Sequence, residues 1–184
     1  MGLDMYVFKM KRYGNATLRD ATAVNSFLEL QEYKKEHPDY KGSMKDWCGR
    51  DYLPAQDVID FYTKCSKTND RGWIETYEGV AYWRKANAIH KWFVKNIQDG
   101  EDDCEPHREL TKADLEELID TAHEVLCDPD KAEALLPTGS GFFFGSTQYD
   151  SWYFDDLKST IEQLRKVVDE TDFETEALYY VSSW

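Results

Sequence analysis

The sequence predicts one α+β domain over residues 1–184, in which about four strands, mixed or antiparallel, are packed with five to six helices. Two observations carry that expectation. Hydrophobic periodicity switches repeatedly between two residues and 3.6 residues along the chain. The resulting order, β-α-α-β-α-α-β-α-β, places helices on a sheet rather than in a bundle. In addition, 184 residues with 15% aromatics are enough to bury one sizeable core.

The first element is a strand over Gly2–Met10, with Leu3, Met5 and Val7 on one face and Asp4, Tyr6 and Phe8 on the other. Helical spacing follows from about Asp20 to Glu36, with Val24, Phe27, Leu28 and Gln31 as its stripe. Breakers and polar residues make about 37–53 a loop-rich segment. Pro54 suits the first position of a helix whose stripe is Val58, Phe61, Tyr62 and Cys65. A turn over Lys67–Gly72 leads to a strand opening at Trp73, which runs into a helix expected over Tyr82–Ile97.

In that helix Tyr82, Ala86, Ile89, Phe93 and Ile97 fall within an arc of roughly 80° at 3.6 residues per turn. Thr111 and Asp114 form a capping-box pattern before a helix lined by Leu115, Leu118, Ala122 and Leu126. Asp128-Pro129 stops it, and a short turn holds Ala134 to Leu136. Gly141–Ser146 is expected as a short central strand. A long helix with Tyr153, Leu157, Ile161, Leu164 and Val168 buried follows, and Glu176–Trp184 closes the sheet as a strand.

Charge narrows the function classes. With 22 Lys and Arg against 36 acids, the net charge is −14. Duplex binding needs clustered cations, so direct nucleic-acid binding is not expected. No stretch approaches the length of a membrane span, and the start shows no apolar leader, so no membrane association and a cytoplasmic compartment are expected. The four cysteines lack C-x-x-C spacing and fit reduced thiols. No cofactor is implied, and no metal is expected: Cys104 and His107 have only half of a zinc spacing, and the acidic run Asp99–Glu105 lacks a calcium-loop pattern.

Two stretches could form a site. Between Tyr82 and Gln98 there are four cations and no acid, a local reversal of the chain's sign. Arg84, Asn87, His90 and Lys91 lie on its flank and opposite face, where an anion could be held. Ser146, Thr147 and Tyr149 follow Gly145 at a strand-to-helix junction, where helix amides could cradle the same anion. The bland alternatives are a boundary histidine satisfied locally and hydroxyls that only cap a helix. The two stretches are expected to share one concavity, so that truncating His90 or Asn87 weakens binding more than stability. Catalytic residues remain unknown, since G-x-S-x-G, H-E-x-x-H and G-x-G-x-x-G are all absent.

Four blocks, MGLDMY, YWRKANAIHKWFV with QDGEDDC, LLPTGSGFFFGSTQYD and YYVSSW, together resemble a family of small uncharacterised bacteriophage and prophage proteins. The resemblance covers a third to a half of the chain and carries no catalytic residues. It implies action inside an infected bacterial cell. The leading expectation is a phage-type accessory protein that binds a host protein or a small anionic ligand, counter-defence being one such role. An enzyme acting on a nucleotide or phosphorylated metabolite with His90 as acid or base is the runner-up. An acidic nucleic-acid mimic is the third. Exposed aromatics such as Trp152 and Trp184 suggest a homodimer.

Overall fold

The computed structural model describes residues 2–141 and 143–184. Along the chain it forms β1 (Asp4–Lys11), α1 (Leu18–Glu36), α2 (Met44–Cys48), α3 (Gln56–Cys65), β2 (Lys67–Thr68), β3 (Ile74–Glu75) and β4 (Tyr77–Arg84). These are followed by α4 (Asn87–Ile97), β5 (Glu109–Leu110), α5 (Lys112–Cys127), a 3-10 turn (Pro129–Lys131), α6 (Ala132–Leu135), α7 (Ser151–Glu170) and β6 (Glu176–Ser183). The class is α+β, as expected. Four antiparallel strands lie in the order β4-β1-β6-β5, and β2 and β3 form a separate two-stranded ribbon. The described residues divide into two compact units, one containing the stretch up to Lys9 with Gly79–Trp184, the other Met10–Glu78.

The first unit carries the larger sheet and its helices. Alternation along β1 and the residue before it buries Leu3, Met5 and Val7 completely, the face the sequence assigned to the core. Ala81 and Trp83 of β4 and Leu178 and Tyr180 of β6 join them, along with apolar side chains of α4, α5 and α7. Trp83 donates from its indole to Thr160 Oγ1 at 2.9 Å, which fixes β4 to α7. Phe93 of α4 stacks on Tyr180 at 4.0 Å with rings 7° from parallel. The edge strand β4 is covered in part by Gln163, whose Oε1 accepts from Tyr82 N at 2.8 Å.

The second unit is held by α1. Thr76 donates from its hydroxyl to Ala21 O at 2.8 Å and from its amide to Asn25 Oδ1 at 3.2 Å. Tyr62 of α3 is fully buried and donates to Lys11 O at 2.9 Å. The loop-rich segment is less irregular than expected, because Ser43 and Asp46 form a capping box that starts α2. In α1 Val24 is buried and Gln31 exposed, so the buried stripe runs through Leu18, Ala21, Val24 and Leu30 instead.

Three other boundaries depart from the sequence expectation. The helix expected over Tyr82–Ile97 begins at Asn87, and Tyr77–Arg84 is a strand. Tyr82 and Arg84 face outward while Ala81 and Trp83 are buried, the period of two that a strand requires. Tyr82 is therefore 46% exposed, not part of the buried stripe, and it stacks obliquely on Tyr6. The strand expected over 141–146 is absent among its described residues, Phe142 lying outside them. Phe144 N turns back to Gly141 O at 3.3 Å, and Phe143 and Gly145 have φ of 68° and 95°, incompatible with a strand. The fourth strand is β5, paired antiparallel with β6 through Glu109↔Tyr179 and Leu110↔Leu178.

The capping box before α5 forms as expected. Asp114 Oδ2 accepts from Thr111 N at 2.7 Å, and Arg108 grips both carboxylate oxygens at 2.8 Å. The Arg108 guanidinium and these cap bonds hold the Asp114 carboxyl down at about 2. A depressed carboxyl contributes stability above its ordinary value near 4 and loses it as pH falls through about 2. Asp114→Asn is expected to cost about 1 kcal/mol at pH 7, a modest figure because solvent screens the pair. In urea titrations that difference should disappear as the pH falls from 4 to 2.

Candidate functional site

The site grows from the corner between β4 and α4. Lys85 sits in the left-handed region at φ 61° and its amide donates to Leu3 O at 2.8 Å. Ala86, at φ −76° and ψ 68°, makes an inverse γ-turn that returns Asn87 N to Lys85 O at 2.8 Å. This corner replaces the usual capping residue: no side chain caps α4. Ala88 and Ile89, in the uncapped first turn, line the space beside the corner at the positive end of the helix dipole.

Asn87 holds the opposite wall. It is 5% exposed, donates from Nδ2 to Phe144 O at 3.1 Å and Ser146 O at 2.8 Å, and accepts from Gly139 N at 3.0 Å. Every polar atom of its side chain is spent on the 139–146 loop. That loop approaches the corner so closely that a Cβ on Gly145 would lie 3.2 Å from both Lys85 Cβ and Lys85 O. The φ of 95° at Gly145 also excludes other residues from an unstrained fit.

Between these walls and the start of α7 lies a cavity of about 350 Å³. Its lining includes Arg84, Lys85, Asn87, Ser146, Gln148, Asp150, Trp152 and Asp156. Trp152 is 77% exposed at this surface. The α7 amides are not available to a ligand, because Asp150 caps them, accepting from Trp152 N at 3.0 Å and Tyr153 N at 3.2 Å. Ser146 Oγ is likewise engaged, accepting from Gln148 N at 3.1 Å. The amides and the hydroxyl expected to cradle an anion at the Ser146 junction are therefore committed within the chain.

Asp156 stands out among the lining groups. Burial first, and then the neighbouring Asp155 and Asp150, push its carboxyl up to about 6. Asp155 is paired with Lys158 at 2.9 Å, whereas the Asp156 carboxylate has no hydrogen bond or ion pair among the described residues. A raised carboxyl destabilises the fold above its folded value near 6 and not below its ordinary value near 4. Asp156→Asn is expected to stabilise the protein by about 1 kcal/mol at pH 7.5, after allowance for solvent screening of a partly exposed group. Thermal melts should show that gain vanish by pH 4.

His90 lies behind the cavity and does not line it. It is 3% exposed, with Nδ1 2.7 Å from the Tyr180 hydroxyl and Nε2 3.0 Å from Asp102 Oδ2. Asp102 Oδ1 accepts the Trp184 indole N–H at 3.0 Å, and the edge of Phe144 closes over both rings. Burial holds the Tyr180 hydroxyl well above its ordinary range, so it stays protonated. Both ring nitrogens of His90 are occupied by this chain.

The remaining expected residues do not line the cavity. Lys91 is exposed, its Nζ 3.4 Å from Thr138 O, and Thr138 Oγ1 donates to Thr147 O at 3.0 Å. Tyr149 packs edge-on against Tyr153. The structure thus gathers Arg84, Asn87 and Ser146 at the cavity and leaves His90, Lys91, Thr147 and Tyr149 off its lining. Lys85, Gln148, Asp150 and Asp156 were not assigned to a site from sequence. The i, i+4 spacing of Trp152 and Asp156 on one helix face was the available signal.

Beyond α4, Glu101, Asp103 and His107 bring one ligand atom each within 4.8 Å of one another, at an exposed position. These are the described residues that could hold a metal ion; His107 Nε2 lies 3.0 Å from Asp103 Oδ1. No helix among the described residues is long and apolar enough to cross a membrane. No protein-family model matches this sequence, and comparison with curated proteins and with solved structures likewise finds no match.

Proposed function

We propose that this protein is a non-enzymatic binder of a small anionic ligand, held in the cavity at the start of α4. The observation that carries this reading is the wall itself. An uncapped helix N-terminus, Arg84 and Lys85 meet on one concave surface in a chain of net charge −14. Backbone amides and cations aimed at one point favour an anion, and a cavity wall strengthens both by limiting solvent. Arg84 is only loosely engaged, its Nε 3.9 Å from Asp4 Oδ1, and Lys85 has no ion pair among the described residues.

The enzymatic alternative has less support, because the candidate base, His90, is buried with both nitrogens bonded within the chain. Binding of a host protein remains part of the proposal through the aromatic surface of Phe143, Trp152 and Trp184, all more than half exposed. The bacteriophage resemblance adds the setting, action in the cytoplasm of an infected cell.

Titration with n-propyl phosphate, followed by amide chemical shifts, tests the reading. The largest shifts are expected at Ala88 and Ile89. Arg84→Ala with Lys85→Ala should weaken binding about tenfold or more, as expected for loss of charge-assisted contacts. Binding that perturbs other amides only, or that ignores both substitutions, refutes the assignment.

A further inference from the structure

We infer that the ligand of this cavity is zwitterionic, carrying besides its anion a cationic nitrogen that sits on Asp156. The inference rests on the proposed anion site and extends it to the far side of the same cavity. Three acids occupy the start of α7, and two are accounted for. Asp150 caps the helix through Trp152 N and Tyr153 N, and Asp155 pairs with Lys158. Asp156 is half-buried, lines the cavity and has no partner for its carboxylate among the described residues.

A half-buried, unpaired carboxylate beside two other acids is a standing cost to the fold, and its elevated titration agrees with that. A cation from outside the chain would complete such a group. Arg84 and Lys85 line the same cavity but form no ion pair with it, so the cavity's charges do not neutralise one another. Opposite charges held apart on one concave surface are complementary to a molecule bearing both signs. A cationic nitrogen on Asp156 would leave the phosphate or carboxylate of the same molecule facing the α4 amides. Trp152, one turn before Asp156 on α7, lines the same cavity and would supply an aromatic surface for the intervening carbons or for the cation itself.

Matched probe pairs test this. The protein is titrated by calorimetry with 2-aminoethyl phosphate against n-propyl phosphate, and with 5-aminopentyl phosphate against n-hexyl phosphate, so that two spacings are sampled. In at least one pair the amine is expected to bind about tenfold more tightly, a difference typical of a charge-assisted contact. In Asp156→Asn that preference should fall to within about twofold. Melting of the variant at pH 7.5 verifies that it is folded. If amine and alkyl partners bind equally in the wild-type protein, the inference fails while the anion reading stands. It fails also if the preference survives in Asp156→Asn. If neither member of either pair binds, the anion reading fails and takes this inference with it.

Discussion

Replacing Asn87 with alanine is expected to destabilise the protein by about 3 kcal/mol, one of the largest costs of any polar substitution in the chain. Three hydrogen bonds disappear at once, and Phe144 O, Ser146 O and Gly139 N are left without this partner. Aspartate, nearly the same shape, should do no better than alanine. It keeps the acceptor for Gly139 N but turns a second oxygen toward two carbonyl oxygens, replacing two attractions by repulsions. Urea unfolding measures the loss, and faster hydrogen exchange at Gly139 would localise it to the loop. An Asn87→Asp variant as stable as the wild type would show that the clamp does not hold the loop.

Phe93→Ala is expected to cost about 4 kcal/mol, within the usual range for a large aromatic removed from a core. Phe93 is fully buried, stacked on Tyr180, edge-on to Trp92 and tilted against Trp83. Removing it leaves a void where helix α4 meets β6, and the surrounding aromatics are too rigid to collapse into it. Phe93→Leu refills part of the volume and should recover more than half of the loss, about 2 kcal/mol or better. Equilibrium unfolding of both variants, with near-ultraviolet circular dichroism to follow aromatic packing, checks the order.

The expected roles of Asn87 and His90 illustrate what was legible in the sequence. Their position on the flank of a helix is visible in a 3.6-residue projection, and Ile89, Phe93 and Ile97 are buried as that projection requires. What the projection cannot contain is the partner. Asn87 meets residues more than 50 positions away, and His90 meets Tyr180 across 90 positions. Their polar atoms are committed to the fold, so truncating either residue is now expected to cost stability as well as any binding.

The start of α4 was missed for a different reason. Helix N-termini are usually announced by Ser, Thr, Asp or Asn, and here a left-handed Lys85 and an inverse γ-turn at Ala86 do that work without any such residue. Where conventional caps exist, at Ser43, Thr111 and Asp150, the helices begin where the residue types indicate. The two-residue strand β5 has too few residues to show a period at all. Its pairing comes entirely from β6.

The order β4-β1-β6-β5 also sets a schedule for folding. The two strands at the centre of the sheet are the one that begins at Asp4 and the one that ends at Ser183, so their contact spans almost the whole sequence. Closing so long a loop is entropically costly before any pairing rewards it, and such topologies fold slowly. During synthesis β1 emerges before β4 and β6, with Leu3, Met5 and Val7 on one side and an unpaired backbone edge. It must wait for β4 on one flank and for β6, made later still, on the other. A chain halted before Glu176 would leave one edge of β1 open and its apolar face without Leu178 and Tyr180. Nascent chains arrested at that point should therefore bind chaperones and resist release, whereas chains extended past Ser183 should fold free of them.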